Sequence, residues 1–248
     1  MTSARFLVPA GRLDGLLPGA GFTLDGDEGR HAATVRRIRA GEQIDLGDGA
    51  GVVAHCEVTA AGSGRLELQV HDVERLPEPP LRLALAQALA KGGRDEQAVE
   101  TATEIGVDVV VPWQAGRSIV RWQGERGEKA RHRWETIARE AAKQSRRARV
   151  PVVEEARSTP ALARRAATAT LALVLHEAAQ RPLLDVPLPS AGEVLVIVGP
   201  EGGIADDELA VLVEAGAVAV RLGPEVLRAS TAGPVALGWL AAQTGRWA

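Results

Sequence analysis

Two glycine turns in the C-terminal third of the chain, each directly behind a short apolar run, are the residues best suited to hold a ligand. Val194–Val198 leads into Gly199-Pro200-Glu201-Gly202-Gly203, and Val218–Leu222 leads into Gly223-Pro224-Glu225-Val226-Leu227-Arg228. Glycine has no Cβ and tolerates positive φ, so a strand-to-glycine turn can bring bare backbone up to a small molecule. The turns lie roughly 25 residues apart with one helix-length segment between them, which makes them neighbouring loops of one pocket. Arg228, between an apolar turn and a helix start, is oddly placed for a surface charge. It is a candidate to contact substrate or pocket, with an ion pair to Glu201 or Glu225 as the alternative. Other chemistries lack their residues. Neither turn ends in the Lys and Ser/Thr of a nucleotide P-loop, and the glycines come too late for a dinucleotide fingerprint. The G-x-S-x-G elbow of hydrolases is absent, and no His/Cys cluster has metal spacing, so no metal is expected.

The elements that must position these turns follow from patterning. Residues 1–74 read as short strands and turns: Ile44–Leu46, Val52–Val58 and the strictly alternating Leu66–Val70, separated by Asp-Gly and Gly-Ser-Gly turns. This is a small β-rich, barrel-like domain. Residues 75–80, around Leu76-Pro77-Glu78-Pro79-Pro80, form a linker. From 81 to 248 strands and helices alternate, which calls for a mostly parallel sheet with helices on both faces. Strands are expected at Leu81–Gln87, Val107–Val111 (closed by Pro112) and Leu171–Leu175. Helices are expected at Asp95–Ile105, Glu128–Ser145 and Asp206–Glu214, the last with Asp206, Asp207 and Glu208 at its positive end.

The 248 residues are 46% hydrophobic and 25% charged, an ordinary globular composition with a sizeable core. Aromatics make up 3% and tyrosine is absent, so aliphatic packing dominates. The single cysteine, Cys56, excludes an internal disulfide and suits a reducing compartment. No apolar run approaches the roughly 20 residues of a membrane span. Met1-Thr2-Ser3-Ala4-Arg5-Phe6 lacks the pattern of a signal peptide, so a cytoplasmic location without membrane association is expected. The net charge of −3 hides an asymmetry: residues 113–149 hold eleven Lys/Arg against four Asp/Glu, whereas 150–214 hold four against ten. A local basic patch, rather than the total, governs phosphate binding.

Beyond these turns, the chain resembles the SPOUT superfamily of S-adenosylmethionine-dependent RNA methyltransferases, and within it the bacterial 16S rRNA uridine-N3 methyltransferase family. The resemblance rests on Ile197-Val198-Gly199-Pro200-Glu201-Gly202-Gly203, Leu222-Gly223-Pro224, and Val226-Leu227-Arg228 with Thr231-Ala232. Lys91-Gly92-Gly93-Arg94, Ala102–Val107, Arg139–Arg147, Arg5-Phe6 and His31 with Val35-Arg36-Arg37 extend it along almost the whole chain. Gly93, Glu225 and Ser230 depart from the family pattern, which has Asp, Arg and Glu there. The resemblance implies an α/β fold: a C-terminal SPOUT domain with a trefoil knot over about 171–235, behind an N-terminal PUA-like β-barrel. It also implies a homodimer and S-adenosyl-L-methionine as the cofactor.

Residue by residue, the resemblance assigns cofactor binding to Leu175, His176, Glu177, Gly199, Pro200, Glu201, Gly202, Gly203, Leu222, Gly223, Val226, Leu227, Arg228 and Thr231. Thr231 is also a candidate N-cap of the last helix. Arg228, Arg94 and Lys91 are the catalytic candidates, because uracil N3 must lose a proton and a nearby cation lowers that pKa. RNA contacts are expected from Arg5, Arg36, Arg37, Arg117, Arg121, Lys143, Arg146 and Arg147, arginine suiting phosphate and base contacts alike. The expected partner is ribosomal RNA within the small ribosomal subunit. Two other readings are weighed against this one. A catalytically inactive PUA/SPOUT RNA-binding protein would bind cofactor without turnover, and an α/β enzyme acting on a small nucleotide would have no affinity for RNA.

Overall fold

The computed structural model describes residues 3–247; Met1, Thr2 and Ala248, at the ends of the two expected domains, lie outside the described residues. The chain divides into two units, one of residues 1–78 with 142–150, the other of 79–141 with 151–248.

In the first unit alternation in the sequence becomes a five-stranded sheet. Its strands are β1 (Ala4–Leu7), β2 (Gly21–Leu24), β3 (Gln43–Gly47), β4 (Val52–Gly62) and β5 (Arg65–Arg75), in the order β1-β3-β4-β5-β2. The Ser63-Gly64 turn joins β4 to β5 with φ of 47° and 77°, the doubly left-handed geometry that suits a two-residue hairpin. Leu66, Leu68 and Val70 point inward and bury against Phe6, Leu24, Ile44 and Leu46. A short helix α1 (Gly26–Arg30) continues into a π-helical turn over His31–Val35. Residues 142–150, which the sequence assigns to the second domain, belong to this unit instead. The cause is backbone pairing: Gly51 N–H donates to the Ala148 carbonyl (3.1 Å) and Val150 N–H to the Gly49 carbonyl (2.9 Å). Arg149 adds a bond from Nη2 to the Leu76 carbonyl at 2.8 Å.

The second unit alternates strand and helix. In chain order it runs β6 (Leu81–Ala88), α2 (Arg94–Ile105), β7 (Val109–Gln114), α3 (Gly124–Gln144, whose last three residues belong to the first unit), β8 (Val152–Val153), β9 (Arg157–Ser158) and α4 (Thr159–Ala166). It continues with β10 (Leu171–Leu175), β11 (Gly192–Val198), α5 (Asp206–Glu214), β12 (Val218–Val220) and α6 (Ala229–Gln243). The sheet order is β12-β10-β11-β6-β7-β8, with β9 also on β7, and every pairing is parallel. Both faces are covered, so its inner strands are continuously apolar, as parallel sheets require. Leu83, Leu85 and Val196 face α2 and α6, whereas Ala84, Ala86 and Ile197 face Leu162 of α4 and Leu212 of α5.

Several strand bounds differ from expectation, and at β7, which starts at Val109 rather than Val107, the end also moves for a physical reason. Pro112 does not close β7, which runs on through Trp113 to Gln114. β8 pairs with Val109 and Val110 and β9 with Trp113 and Gln114, so Pro112 falls in the gap between two edge partners, where its missing N–H leaves no ladder bond unmade. Leu85 is fully buried against the α6 helix, in van der Waals reach of Gly233. Leu85→Ala is expected to cost about 2–5 kcal/mol of stability in a urea titration, the usual range for a buried leucine truncation.

Candidate active site

Three parallel strands end at one level. Leu175 pairs with Val198 on one side and with Val220 on the other, so the segments after β10, β11 and β12 all leave the same edge of the sheet. Ligands in open α/β sheets bind beyond the carboxyl ends of the strands, where bare loops converge. Here a cavity of about 490 Å³ opens at that edge, within the usual size range of small-molecule sites. The whole first glycine turn, Gly199 to Gly203, lines it, together with Leu175, Glu177, Val226, Leu227 and Arg228. A smaller adjoining cavity of about 80 Å³ adds His176, Leu222 and Gly223 and shares Leu175, Glu177, Val226 and Leu227.

Thirteen of the fourteen residues implied for cofactor binding therefore meet at one edge. Thr231 is the exception: it is exposed, it lines neither cavity, and it is not the N-cap. Arg228 occupies the N-cap position of α6, and its carbonyl accepts the Thr231 N–H at 2.8 Å. The His176 ring is occupied locally, its Nδ1 accepting the Ala178 N–H at 3.2 Å. Gly199 is bare for a reason that sequence does not reveal. A Cβ there would lie 2.6 Å from Ile204 Cγ1, so this glycine serves the tight return of its own turn. Gly223 is different, since its Cβ would meet only Glu225 Oε2 at 3.6 Å and the space in front of its backbone is open.

Charge gathers at the cavity. Arg94, Arg117 and Arg228 all line it. Arg94 Nη1 bonds Glu201 Oε1 at 3.0 Å, and Arg117 Nη1 donates to the Gly202 carbonyl at 3.1 Å. Arg228 makes no ion pair among the described residues, so the pairing with Glu201 or Glu225 entertained from sequence is not formed. Lys91 is exposed and does not line the cavity. It sits in the Lys91–Arg94 bend, where Gly92 and Gly93 both take positive φ, 69° and 74°. Gly93 is the left-handed N-cap of α2, a conformation that glycine adopts without strain. Asp95, missed from sequence, anchors this bend: its Oδ2 accepts the Ala90 N–H at 3.0 Å and its Oδ1 the Glu96 N–H at 2.9 Å. Burial of that carboxyl outweighs these bonds and raises its pKa.

The expected RNA contacts separate into three groups. Arg36 and Arg37 are exposed on the first unit, beside exposed Val35. Arg117 belongs to the cavity. Arg5, Lys143, Arg121 and Arg147 are engaged within the fold. Arg5 is half-buried and bonds Asp45 at 3.3 Å and the Arg146 carbonyl. Lys143 pairs with Glu28 at 2.8 Å and lies over the Phe6 ring. Arg121 donates to the Ala115 and Gly116 carbonyls at 3.0 and 2.9 Å. Arg147 is half-buried, with its N–H on the Ala142 carbonyl, and the exposed Arg146 has a left-handed backbone at φ 57°. Among the described residues no group of three His, Cys, Asp or Glu is placed to hold a metal, and no helix is long and apolar enough to cross a membrane. Cys56 is buried in the first unit, its thiol pushed up to about 12 by desolvation and by Asp45.

Comparison with known proteins accords with this geometry. Residues 77–241 match the family model of an RNA methyltransferase domain, and residues 24–70 match that of an RNA methyltransferase PUA domain. The chain is 52% identical over 235 residues to the ribosomal RNA small subunit methyltransferase E of Mycobacterium tuberculosis, spanning 92% of this chain and 89% of that one. It is 32% identical over 231 residues to the Bacillus subtilis protein of the same name, spanning 90% of each. Among solved structures it is similar to ribosomal RNA small subunit methyltransferase E from Neisseria gonorrhoeae bound to S-adenosyl methionine (29% identity, TM-score 0.83, 98% of both chains). It is also similar to a Legionella pneumophila methyltransferase in complex with the bound cofactor SAM (29% identity, TM-score 0.85, 98% of both chains). The fold is thus that of an RNA methyltransferase domain joined to a PUA domain. The chain belongs to the ribosomal RNA small subunit methyltransferase E family.

The contrast between the two glycines is testable. Gly199→Val is expected to lower thermal stability markedly by forcing Ile204 aside. Gly223→Ala should melt like the parent protein; equal destabilisation by both would remove the distinction between a packing glycine and an approach glycine.

Proposed function

We propose that this chain transfers a methyl group from S-adenosyl-L-methionine to N3 of a specific uridine in 16S ribosomal RNA. The observation that carries the reading is the convergence of Arg94, Arg117 and Arg228 on a glycine-lined cavity, in a chain of this family. The residues fit such a cofactor. Leu222, Val226, Leu227 and Ala232 offer apolar surface for an adenine ring, and the open backbone at Gly223 offers close approach. Glu177 and the arginines offer both signs of charge for an amino-acid end. When bound, S-adenosyl-L-methionine supplies a sulfonium methyl group, whose bond to sulfur breaks onto sulfur as the nucleophile takes the carbon.

The chain's own task is to position the base and make N3 a nucleophile. Uracil N3 carries a proton, and its anion spreads charge onto O2 and O4. Cationic side chains facing that anion favour it and lower the pKa of the N3–H. Arg228, with no carboxylate partner, is the strongest of the three catalytic candidates. Arg94 is shared with Glu201, and Lys91 lies outside the cavity wall. A uridine must leave its stack to reach such a cavity, so a flipped or single-stranded target belongs to this reading. Arg36 and Arg37 supply the more distant RNA contact. A trefoil knot over about 171–235 and a homodimer are supported by the family resemblance, and a cytoplasmic setting by a ribosomal substrate. The non-catalytic alternative rests on the departures at Gly93, Glu225 and Ser230. The first is accounted for by a left-handed N-cap, and although Glu225 puts a carboxylate where the family has an arginine, Arg94, Arg117 and Arg228 still line the main cavity.

Two experiments test this reading. Labelled S-adenosyl-L-methionine and small subunits lacking 3-methyluridine are expected to yield label in 3-methyluridine by nucleoside mass spectrometry. Arg228→Ala should lower kcat by about 10²-fold, the usual loss when one stabilising donor is removed. Label in another nucleoside would overturn the uridine assignment. Arg36→Gln with Arg37→Gln should weaken RNA binding and reduce the salt slope by about 0.7 per lost phosphate contact on single-stranded RNA; an unchanged slope would leave these arginines as a solvated face.

A further inference from the structure

The connection from β7 to α3, residues 115–123, carries Arg117 and is closed on itself by the Arg121 guanidinium on the carbonyls of Ala115 and Gly116. Trp122 N–H adds a bond to Gln114 Oε1 at 2.9 Å. One side chain from a distant element holds this closed loop in place. Glu208, in the first turn of α5 and only 8% exposed, accepts the Gly116 N–H on Oε1 at 2.8 Å. The same oxygen accepts the Thr159 hydroxyl, whose own oxygen accepts Trp113 Nε1–H at 3.1 Å. Gly116 is the residue that permits the approach, because a Cβ there would lie 3.1 Å from Glu208 Oε2. Oε2 is itself buried without a hydrogen-bond partner. A buried acceptor left unsatisfied costs stability, so what this carboxylate contributes is position.

The next residue is what gets positioned. Arg117 follows Gly116 directly, spends Nη1 on the Gly202 carbonyl, and has no described acceptor for Nη2 or Nε. Its Cβ packs against the turn itself, since a Cβ on Gly202 would sit 3.3 Å from it. The guanidinium is thus tied at one corner to the cavity wall with two donor groups left over. That fork matches a pair of acceptors on a planar anion better than a point charge would.

We propose that Arg117 is a catalytic residue that donates to a uracil carbonyl oxygen beside N3, and that Glu208 is the positioning residue that holds it there through Gly116. The proposal rests on the uridine-N3 reading. Arg117 stabilises the uracil anion while the N3 proton leaves to water, and N3 then takes the methyl carbon with the electron pair that bond left behind. Glu208 touches neither substrate nor cofactor; its effect passes entirely through the backbone of residue 116.

A double-mutant cycle with a pH profile tests both halves. Arg117→Gln is expected to lower kcat by about 10²-fold, as for loss of one donor to a developing anion, and to move the pH at which kcat rises to a higher value. Glu208→Ala should do the same, with little change in S-adenosyl-L-methionine affinity measured by calorimetry. The double variant should lose no more than either single, because the two act as one unit. Glu208→Gln keeps an oxygen acceptor for Gly116 N–H and should retain most of the activity. If Glu208→Ala does not fold, Gly116→Ala displaces the same loop and should shift the same pH profile. Losses that multiply in the double variant would overturn the positioning role. A raised KM for RNA with an unmoved pH profile would make Arg117 a phosphate contact and overturn the catalytic one. Wild-type label in a nucleoside other than 3-methyluridine would overturn the uridine reading and this contact together, whereas normal 3-methyluridine formation by Arg117→Gln would overturn the contact alone.

Discussion

Everything at the candidate site depends on the parallel hydrogen-bond ladder that sets β10 between β11 and β12. Its register ends three strands at the same height, Leu175 beside Val198 and Val220. Parallel strands need long crossovers, so residues from widely separated parts of the chain reach this edge without any local contact between them. A one-residue slip in either pairing would turn core side chains to the opposite face and misalign the exits. The apolar runs Val194–Val198 and Leu171–Leu175 forbid that slip, because both of their faces are already committed to helices.

Onto that frame the chain sets charge by two different devices. Arg94 reaches the cavity from the N-terminus of a helix whose preceding bend is pinned by a buried carboxylate, Asp95. Arg228 stands at the N-cap of α6, where the chain enters the helix from the second glycine turn. Both are close in sequence to a helix start, which fixes the backbone they leave from. Uncompensated positive charge on an exposed surface would be screened by salt. Partly walled by Leu175, Val198 and Leu227, it retains more of its reach.

How much of this was legible beforehand depends on the range of the interactions involved. The β10 boundaries, the α5 boundaries and the two glycine turns were readable because hydrophobic period and glycine punctuation are local signals. The run through Pro112 was not, since it depends on a gap between β8 and β9, which only the tertiary pairing creates. The basic stretch at 113–149 was correctly seen as charged, but composition cannot say where each guanidinium points. Arg121 is spent on two carbonyls and Lys143 on Glu28, whereas Arg117 turns out to face the cavity. Asp95 and Glu208 left no signal beyond being acidic residues in the first turn of a helix; Asp95 bonds backbone amides of its own bend, and Glu208 bonds one several elements away. Thr231 fitted the N-cap preference, yet the N-cap lies three residues earlier, at Arg228.

The return of residues 142–150 to the first unit has a consequence for how the chain is made. A unit built from residues 1–78 alone would leave Gly51 N–H and the Gly49 carbonyl unpaired and Glu28 without its lysine. During synthesis the β-sheet of this unit can pair as soon as β5 emerges, but its last backbone bonds wait until Val150 has left the ribosome. By then β6, α2, β7 and α3 are already outside as well, so completion of the first unit and the start of the second overlap in time. The N-terminal unit is therefore first in sequence without being first to finish, and the loop closures that complete it span more than seventy residues of intervening chain.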